Sequence, residues 1–266
     1  MGKIEERKKE IMKMLSVNDF LKIEDLVRNL SVSEATVRRT LVELEKEGKV
    51  IRTHGGVKLF YSKPGVYLFN KRASINVKQK TAIGKKAASL INSDEIIFFD
   101  SGTTVLKVAE ALDQRIKSGQ VENITVITNS IAVAEVLGDS CRVILLGGHV
   151  RPYRKDVSGP IVEKNIKMFR AHKSFIGTDG ITLREGLMTT DEYTSKIDEE
   201  MVARGQKVFL VADSSKFNNP SFVSYGSIKD VDLIITDDDL DPEMEKEYRA
   251  FGVNIILVKV DEIENH

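Results

Sequence analysis

Along residues 1–59 the apolar positions first recur at helical spacing. Ile4, Ile11, Met14 and Leu15 form one set and Ile23, Leu26, Val27 and Leu30 a second, with Asn18-Asp19 between them. A third set, Val37, Leu41 and Leu44, follows Ser33, a side chain suited to capping a helix start, and precedes Gly48, which suits a stop. The spacing predicts three short amphipathic helices, the second and third joined only by Ser31-Val32-Ser33. Helices too short to enclose a core singly, linked by so tight a turn, fit a helix-turn-helix. Two β-like runs then flank Gly55-Gly56, predicting a hairpin like the wing of a winged helix, with Arg52, His54 and Lys58 at its tip.

Residues 60–72 hold no sustained period, so the pattern places a DNA-binding-type head at 1–60, a linker at 61–72 and a body at 73–266. Tyr61, Tyr67 and Phe69 are aromatic positions expected to dock on the body rather than hang free. In the body, short apolar runs at 95–99, 124–128, 142–146, 173–176, 207–212, 233–236 and 253–258 alternate with helical patterns near 78–91, 104–118, 130–138, 160–169, 190–204 and 242–251. Strands apolar on both faces and separated by helices predict a mostly parallel α/β sheet.

The chemistry gathers after the strands. Asp100-Ser101-Gly102-Thr103-Thr104, Asn129-Ser130, Gly147-Gly148-His149, Gly177-Thr178-Asp179-Gly180 and Asp213-Ser214-Ser215-Lys216 follow the first five runs. In an open α/β sheet the carboxyl ends of the strands are where ligands bind. Ser101 to Thr104 opens a helix, whose free amides, hydroxyls and positive dipole end suit a phosphate, and Lys216 could add a point charge to the same anion. In the head, Arg39 lies about 200° from Val37 around the third helix, with Thr36, Arg38 and Thr40 on the flanks. That face offers guanidinium and hydroxyl groups able to grip phosphates or base edges.

Composition narrows the classes. The 266 residues are 41% hydrophobic and 30% charged, which excludes a disordered tail. Forty Lys and Arg balance forty Asp and Glu, yet residues 1–63 carry 14 basic against 10 acidic side chains and residues 64–266 carry 26 against 30. A basic head on an acidic body suggests two tasks. Cys141 is alone and cannot close an internal disulfide, the charged start lacks an apolar signal core, and no apolar run could cross a bilayer, so a cytoplasmic protein is expected. His149 and His172 stand outside any cluster with metal spacing, and 237–241 lacks the glycine and final glutamate of a calcium loop; neither a metal nor a cofactor is expected.

Val32-Ser33-Glu34-Ala35-Thr36-Val37-Arg38-Arg39-Thr40-Leu41, with Leu44-Glu45, Gly48 and His54-Gly55-Gly56, resembles the amino-terminal signature of the DeoR family of bacterial transcription regulators. In the usual pattern an aspartate follows the paired arginines; here it is Thr40. Gln79-Lys80, Asp100 to Thr104, Thr128-Asn129-Ser130, Gly147-Gly148, Phe175-Ile176-Gly177, Asp213 to Phe217 and Thr236-Asp237 resemble the family's sensor half, with Gln79 where a glutamate is common. The resemblance implies a sensor related in fold to ribose-5-phosphate isomerase A and the glucosamine-phosphate deaminases. A phosphorylated sugar or sugar alcohol is its implied effector. Candidate DNA contacts are then Ser33, Thr36, Arg38, Arg39, Thr40, Arg52, His54 and Lys58. Candidate effector contacts are Lys80, Asp100, Ser101, Gly102, Thr103, Thr104, Thr128, Asn129, Gly147, Gly148, Asp179 and Lys216. The expected activity is repression of a sugar-use operon by a homodimer, or a multiple of one, bound to operator DNA. The rival is a sugar-phosphate isomerase or deaminase using Asp100, Asp179 and Lys216 as acid-base groups, with an appended DNA module.

Overall fold

The computed structural model describes residues 3–15, 18, 20–47, 49–53, 55–59 and 68–260. They fall into two compact units, 1–75 and 76–266. In the first, α1 (Lys3–Leu15) is followed by a two-residue strand β1 (Leu21–Lys22), α2 (Ile23–Leu30) and α3 (Glu34–Lys46). Ser31, left-handed at φ 50°, ends α2, and Ser33 caps α3 by accepting the Thr36 amide. Ile11, Leu15, Leu26, Val37, Leu41 and Leu44 are buried together with Val50 and Val57 of the hairpin β2 (Val50–Thr53) and β3 (Gly56–Leu59). The hairpin adds β1 to its outer side, giving the order β1-β3-β2. Gly48, His54 and 60–67, with Tyr61 and Tyr67, lie outside the described residues. Phe69–Ala73, which overlaps the expected linker 61–72 and runs one residue past it, forms a short helix, α4, with the Phe69 side chain buried.

The second unit begins with α5 (Val77–Ala88), β4 (Ile96–Phe99), α6 (Thr103–Lys117), β5 (Thr125–Thr128), α7 (Ile131–Leu137) and β6 (Arg142–Leu145). A hairpin, β7 (His149–Arg151) and β8 (Asp156–Ser158), precedes α8 (Pro160–Ile166) and β9 (Ala171–Ile176). Next come β10 (Gly180–Thr182), β11 (Gly186–Thr189), α9 (Glu192–Arg204), β12 (Gly205–Val211), β13 (Val223–Gly226), β14 (Leu233–Asp237), α10 (Pro242–Ala250) and β15 (Ile255–Val258). Seven strands pair in parallel in the order β15-β14-β12-β9-β4-β5-β6, while β10, β11 and β13 form a small antiparallel sheet.

The alternation within each strand builds a core on both faces. Phe98, Ile176, Leu210 and Ile234 point into one, with Val162, Ile197, Met201 and Tyr248. Ile97, Phe99, Phe175, Phe209 and Ile235 point into the other, with Ile83, Val105, Val108, Leu112 and Val133. Burial on both faces is why these strands read as continuous apolar runs. Counted by appearance, the central strands run third, second, first, fourth, fifth, so the order reverses between β4 and β9. At such a switch point the loops leaving two neighbouring strands diverge and open a crevice.

Candidate functional site

In the first unit, α3 presents Arg38 and Arg39 to solvent. Arg38 is braced along the helix by Glu34, with Nη2 to Oε1 at 2.6 Å. Ser33 and Thr36 hydroxyls lie 2.9 Å apart and serve the helix start. Thr40 is largely packed: it is 3% exposed and its hydroxyl donates to the Thr36 carbonyl at 2.9 Å. The cause lies in the helix itself, since position 40 falls only about 40° from Leu44 and shares the buried stripe. A recess lined by Ile4, Arg7, Thr36, Arg39, Thr40 and Glu43, with Ala35, places Arg7 of α1 beside the exposed arginine face, a neighbour the sequence reading missed, and Thr40 borders it with its small exposed part. Arg52 stands on β2 before the hairpin tip, its Nε 2.7 Å from Glu45 Oε2; hydrogen bonds from its side chain and amide hold that carboxyl below its usual range. His54 and the Lys58 side chain lie outside the described residues, although Lys58 belongs to β3. Lys8 is clamped by Glu5, Glu43 and Glu47 at 3.0, 3.1 and 2.6 Å, tying α1 to α3.

In the second unit, Asp100 ends β4 at the switch point. Its carboxylate accepts the Gly102 amide at 2.7 Å and, across the crevice, the Gly177 amide after β9 at 2.5 Å. Burial raises its pKa to about 6, against the two amides that lower it and with Asp179 and Asp156 adding to the rise. Asp100 is thus a brace between the two diverging loops. Gly102 caps α6 without a side chain, leaving the first-turn amides of Thr103 and Thr104 outside the helix's own bonding ladder; both threonines are buried. Ser101 donates to Asp156 Oδ2 at 3.2 Å. Thr128, fully buried, accepts the Ser130 amide, and Asn129 donates to the Val157 carbonyl while its own carbonyl oxygen meets no donor. Asp179 accepts from the Thr190 amide and hydroxyl at 3.0 and 2.9 Å and from the Thr189 hydroxyl at 3.3 Å.

A charged cluster that the sequence reading did not find crosses this crevice. Arg151 on β7 binds Asp156 on β8 through two nitrogens at 2.8 and 2.7 Å and Asp191 before α9 at 2.6 Å. Burial opposes its charge, but Asp156 and Asp191 outweigh that and hold its pKa above the ordinary value. Arg154 reaches Thr194 at 3.2 Å and Asp156 at 3.5 Å. The only sequence signal was a pair of arginines after Gly147-Gly148; their partners lie up to 43 residues away. Of the two glycines, Gly147 is exposed, whereas Gly148 is packed, a Cβ there falling 2.4 Å from Val162 Cγ2.

Lys216 and Lys80 fall elsewhere on the same edge. Lys216 follows β12, two strands from β4, so roughly 10 Å sideways by strand spacing. Asp213 beside it accepts Asn76 Nδ2 at 2.9 Å, and Gln79 reaches Asp239 at 3.2 Å, which seats the first turn of α5 over the ends of β12 and β14; Lys80 is buried in that turn. The expected effector residues therefore divide into a switch-point group and an outer lysine group. His149 is exposed on β7, and His172 accepts the Ile96 amide. Among the described residues no group of acidic, His or Cys side chains is arranged to hold a metal, and no helix is long and apolar enough to cross a membrane.

A winged helix whose third helix exposes paired arginines, carried in one chain with a doubly wound sheet lined at its switch point by polar turns, defines a DNA-binding regulator of the sensing kind. The chain belongs to the DeoR family: residues 7–63 match the DeoR-like helix-turn-helix domain and residues 75–238 the DeoR C terminal sensor domain. It is 34% identical over 94% of its length to the HTH-type transcriptional regulator GlpR of Haloferax volcanii, 96% of which is covered. It is 32% identical over 92% of its length to the lactose phosphotransferase system repressor of Lactococcus lactis, 95% of which is covered. The ribose 5-phosphate isomerase of Plasmodium falciparum is 20% identical, covers 52% of each chain and has a TM-score of 0.39. The chain is a DNA-binding transcriptional regulator.

Proposed function

We propose that the protein is a cytoplasmic repressor of a sugar-use operon that releases its operator when a phosphorylated sugar or sugar alcohol binds the body. Residues 1–60 act as the DNA-binding part and 73–266 as the sensor, with α4 in the span between them. A homodimer or its multiple is the working form, because one winged helix reads a half-site and a twofold pair reads both halves. The phosphate lies on the Thr103 and Thr104 amides and on the Thr104 hydroxyl at the positive end of α6, and Lys80 and Lys216 supply cations from the outer group. Effector and DNA oppose each other by one coupling factor, whichever binds first. That the Lactococcus relative is a repressor of a sugar phosphotransferase system supports the operon assignment.

The observation that carries binding over turnover is the state of the carboxylates. Asp100 and Asp179, which an isomerase reading would use as acid and base, already accept two and three hydrogen bonds from amides and threonine hydroxyls. Carboxylates already turned to amides and hydroxyls are placed to brace loops and orient a ligand, which supports binding over turnover. The test incubates millimolar sugar phosphates with the protein and with promoter DNA. Unchanged ligand by NMR together with dissociation of the DNA complex in gel shifts is the expected result; steady conversion of the sugar phosphate would favour the enzyme.

A further inference from the structure

Asp198 is one of two buried carboxylates among the described residues, with Asp213 of the outer group, that keep an oxygen without a partner. It lies on α9, is 2% exposed, and its Oδ1 meets no hydrogen-bond partner. Asp100 is satisfied by two amides, Asp156 by Arg151 and Ser101, Asp179 by Thr189 and Thr190, and Asp191 by Arg151 and the Thr194 amide. A buried carboxyl oxygen without a donor is costly, and natural folds rarely keep one without use. Its direction follows from the helix: Asp191, Thr194 and Asp198 are spaced three and four apart and share a face. Thr194 on that face touches both Arg151 and Arg154. Asp198 therefore sits one turn deeper on the crevice side. Asp100 at the end of β4, Arg154 in the hairpin loop, Asp179 after β9 and Asp156 on β8 are near enough for their charges to act on it, and it acts in turn on Tyr225 of β13. After β5, Asn129 likewise keeps a buried carbonyl oxygen without a donor, its amide nitrogen donating to the carbonyl of Val157, the neighbour of Asp156.

We propose that Asp198 is a specificity-determining ligand contact, its carboxyl taking a hydrogen-bond donor, either a hydroxyl or an ammonium, from the sugar portion of the effector. A phosphate is repelled by this acidic wall and belongs at the α6 amides, so the two ends of one ligand are read by opposite chemistry. The inference rests on the effector reading above and deepens it. A site built to hold a donor rejects analogues lacking one far more strongly than an apolar pocket rejects a methylene.

The experiment uses full-length wild type, Asp198→Asn and Asp198→Leu in thermal unfolding and calorimetric titration, with glucosamine 6-phosphate, fructose 6-phosphate, glycerol 3-phosphate and inorganic phosphate as probes. Without ligand both variants should melt at or above the wild-type temperature, since a ligand-directed carboxyl burdens the empty fold. With the probe that binds wild type best, Asp198→Leu should weaken affinity at least tenfold. If the donor is a hydroxyl, Asp198→Asn should stay within about threefold; if it is an ammonium, Asp198→Asn should lose tenfold or more. A fall in melting temperature of both ligand-free variants would make Asp198 structural and overturn the proposal. Wild-type affinity in Asp198→Leu would overturn it while leaving the sugar-phosphate reading intact. Should no sugar phosphate stabilise wild type, that wider reading fails for these probes, and the ligand-free melting temperatures still decide whether Asp198 is structural.

Discussion

Arg39 and Thr40 are neighbours in sequence with opposite fates. Arg39→Ala should weaken operator binding by about 1–3 kcal/mol, the worth of a good base or phosphate contact, without loss of fold. Thr40→Val, which removes only a hydroxyl bonded to its own helix, should leave DNA affinity within about twofold. Fluorescence anisotropy with labelled promoter DNA reads both, and equal loss in the two variants would return Thr40 to the DNA face. Asp100 invites a second substitution. Asp100→Asn must turn an amide NH2 toward one of the two amides that the carboxylate accepts, so it should destabilise the body by roughly 1–3 kcal/mol. Because the folded state raises the Asp100 pKa to about 6, the folded protein binds more protons than the unfolded chain between about pH 4 and 6. Wild type then loses stability relative to the non-titrating variant as pH rises through that window, and the deficit of Asp100→Asn should narrow. Urea unfolding at pH 4 and pH 7 checks the sign.

At the scale of elements, legibility followed unbroken apolar runs. All seven strands of the main sheet were readable because two buried faces turn each into an apolar run, and the alternating helices carry strong stripes. The strands 149–151, 156–158, 180–182, 186–189 and 223–226 were not readable: Gly, Ser, Thr, Asp, His and Arg break up any apolar run within them, and β11 finds β13 more than thirty positions away. The crevice suffered accordingly. The phosphate-suited turn at Ser101–Thr104 is local and could be read, whereas Arg151, Asp156 and Asp191 meet only because the β7–β8 hairpin folds against the start of α9. Gly147 and Gly148 looked alike in sequence. In the structure Gly147→Ala has open space and should be nearly neutral, while Gly148→Ala, blocked by Val162 and the Ser158 carbonyl, should cost more than about 1 kcal/mol in urea unfolding. In the wing, Arg52→Ala with Lys58→Ala should lower affinity for operator and random DNA alike and flatten the salt dependence, as loss of phosphate contacts does. A changed base preference at constant salt slope would contradict that role.

The chain joins a basic DNA-binding head to an acidic body that matches a sensor domain, and the proposed function is a coupling between them. Net charge near zero hides this division, which appears only when the chain is split. A coupling factor of 5 to 150, about 1–3 kcal/mol, is the usual range for such regulators, so the response is measurable at moderate ligand concentration. The central claim is that a phosphorylated sugar, held at the α6 start and by Lys216, is what frees the operator. The most direct measurement is an anisotropy titration of labelled promoter DNA bound to wild type, Thr104→Ala and Lys216→Ala, with each sugar phosphate and its unphosphorylated parent added in turn. Release of wild type by the phosphorylated form alone, with both variants holding DNA at ligand concentrations that free wild type, is the predicted result. Equal release by the free sugar, or variants that respond as wild type does, would contradict the account.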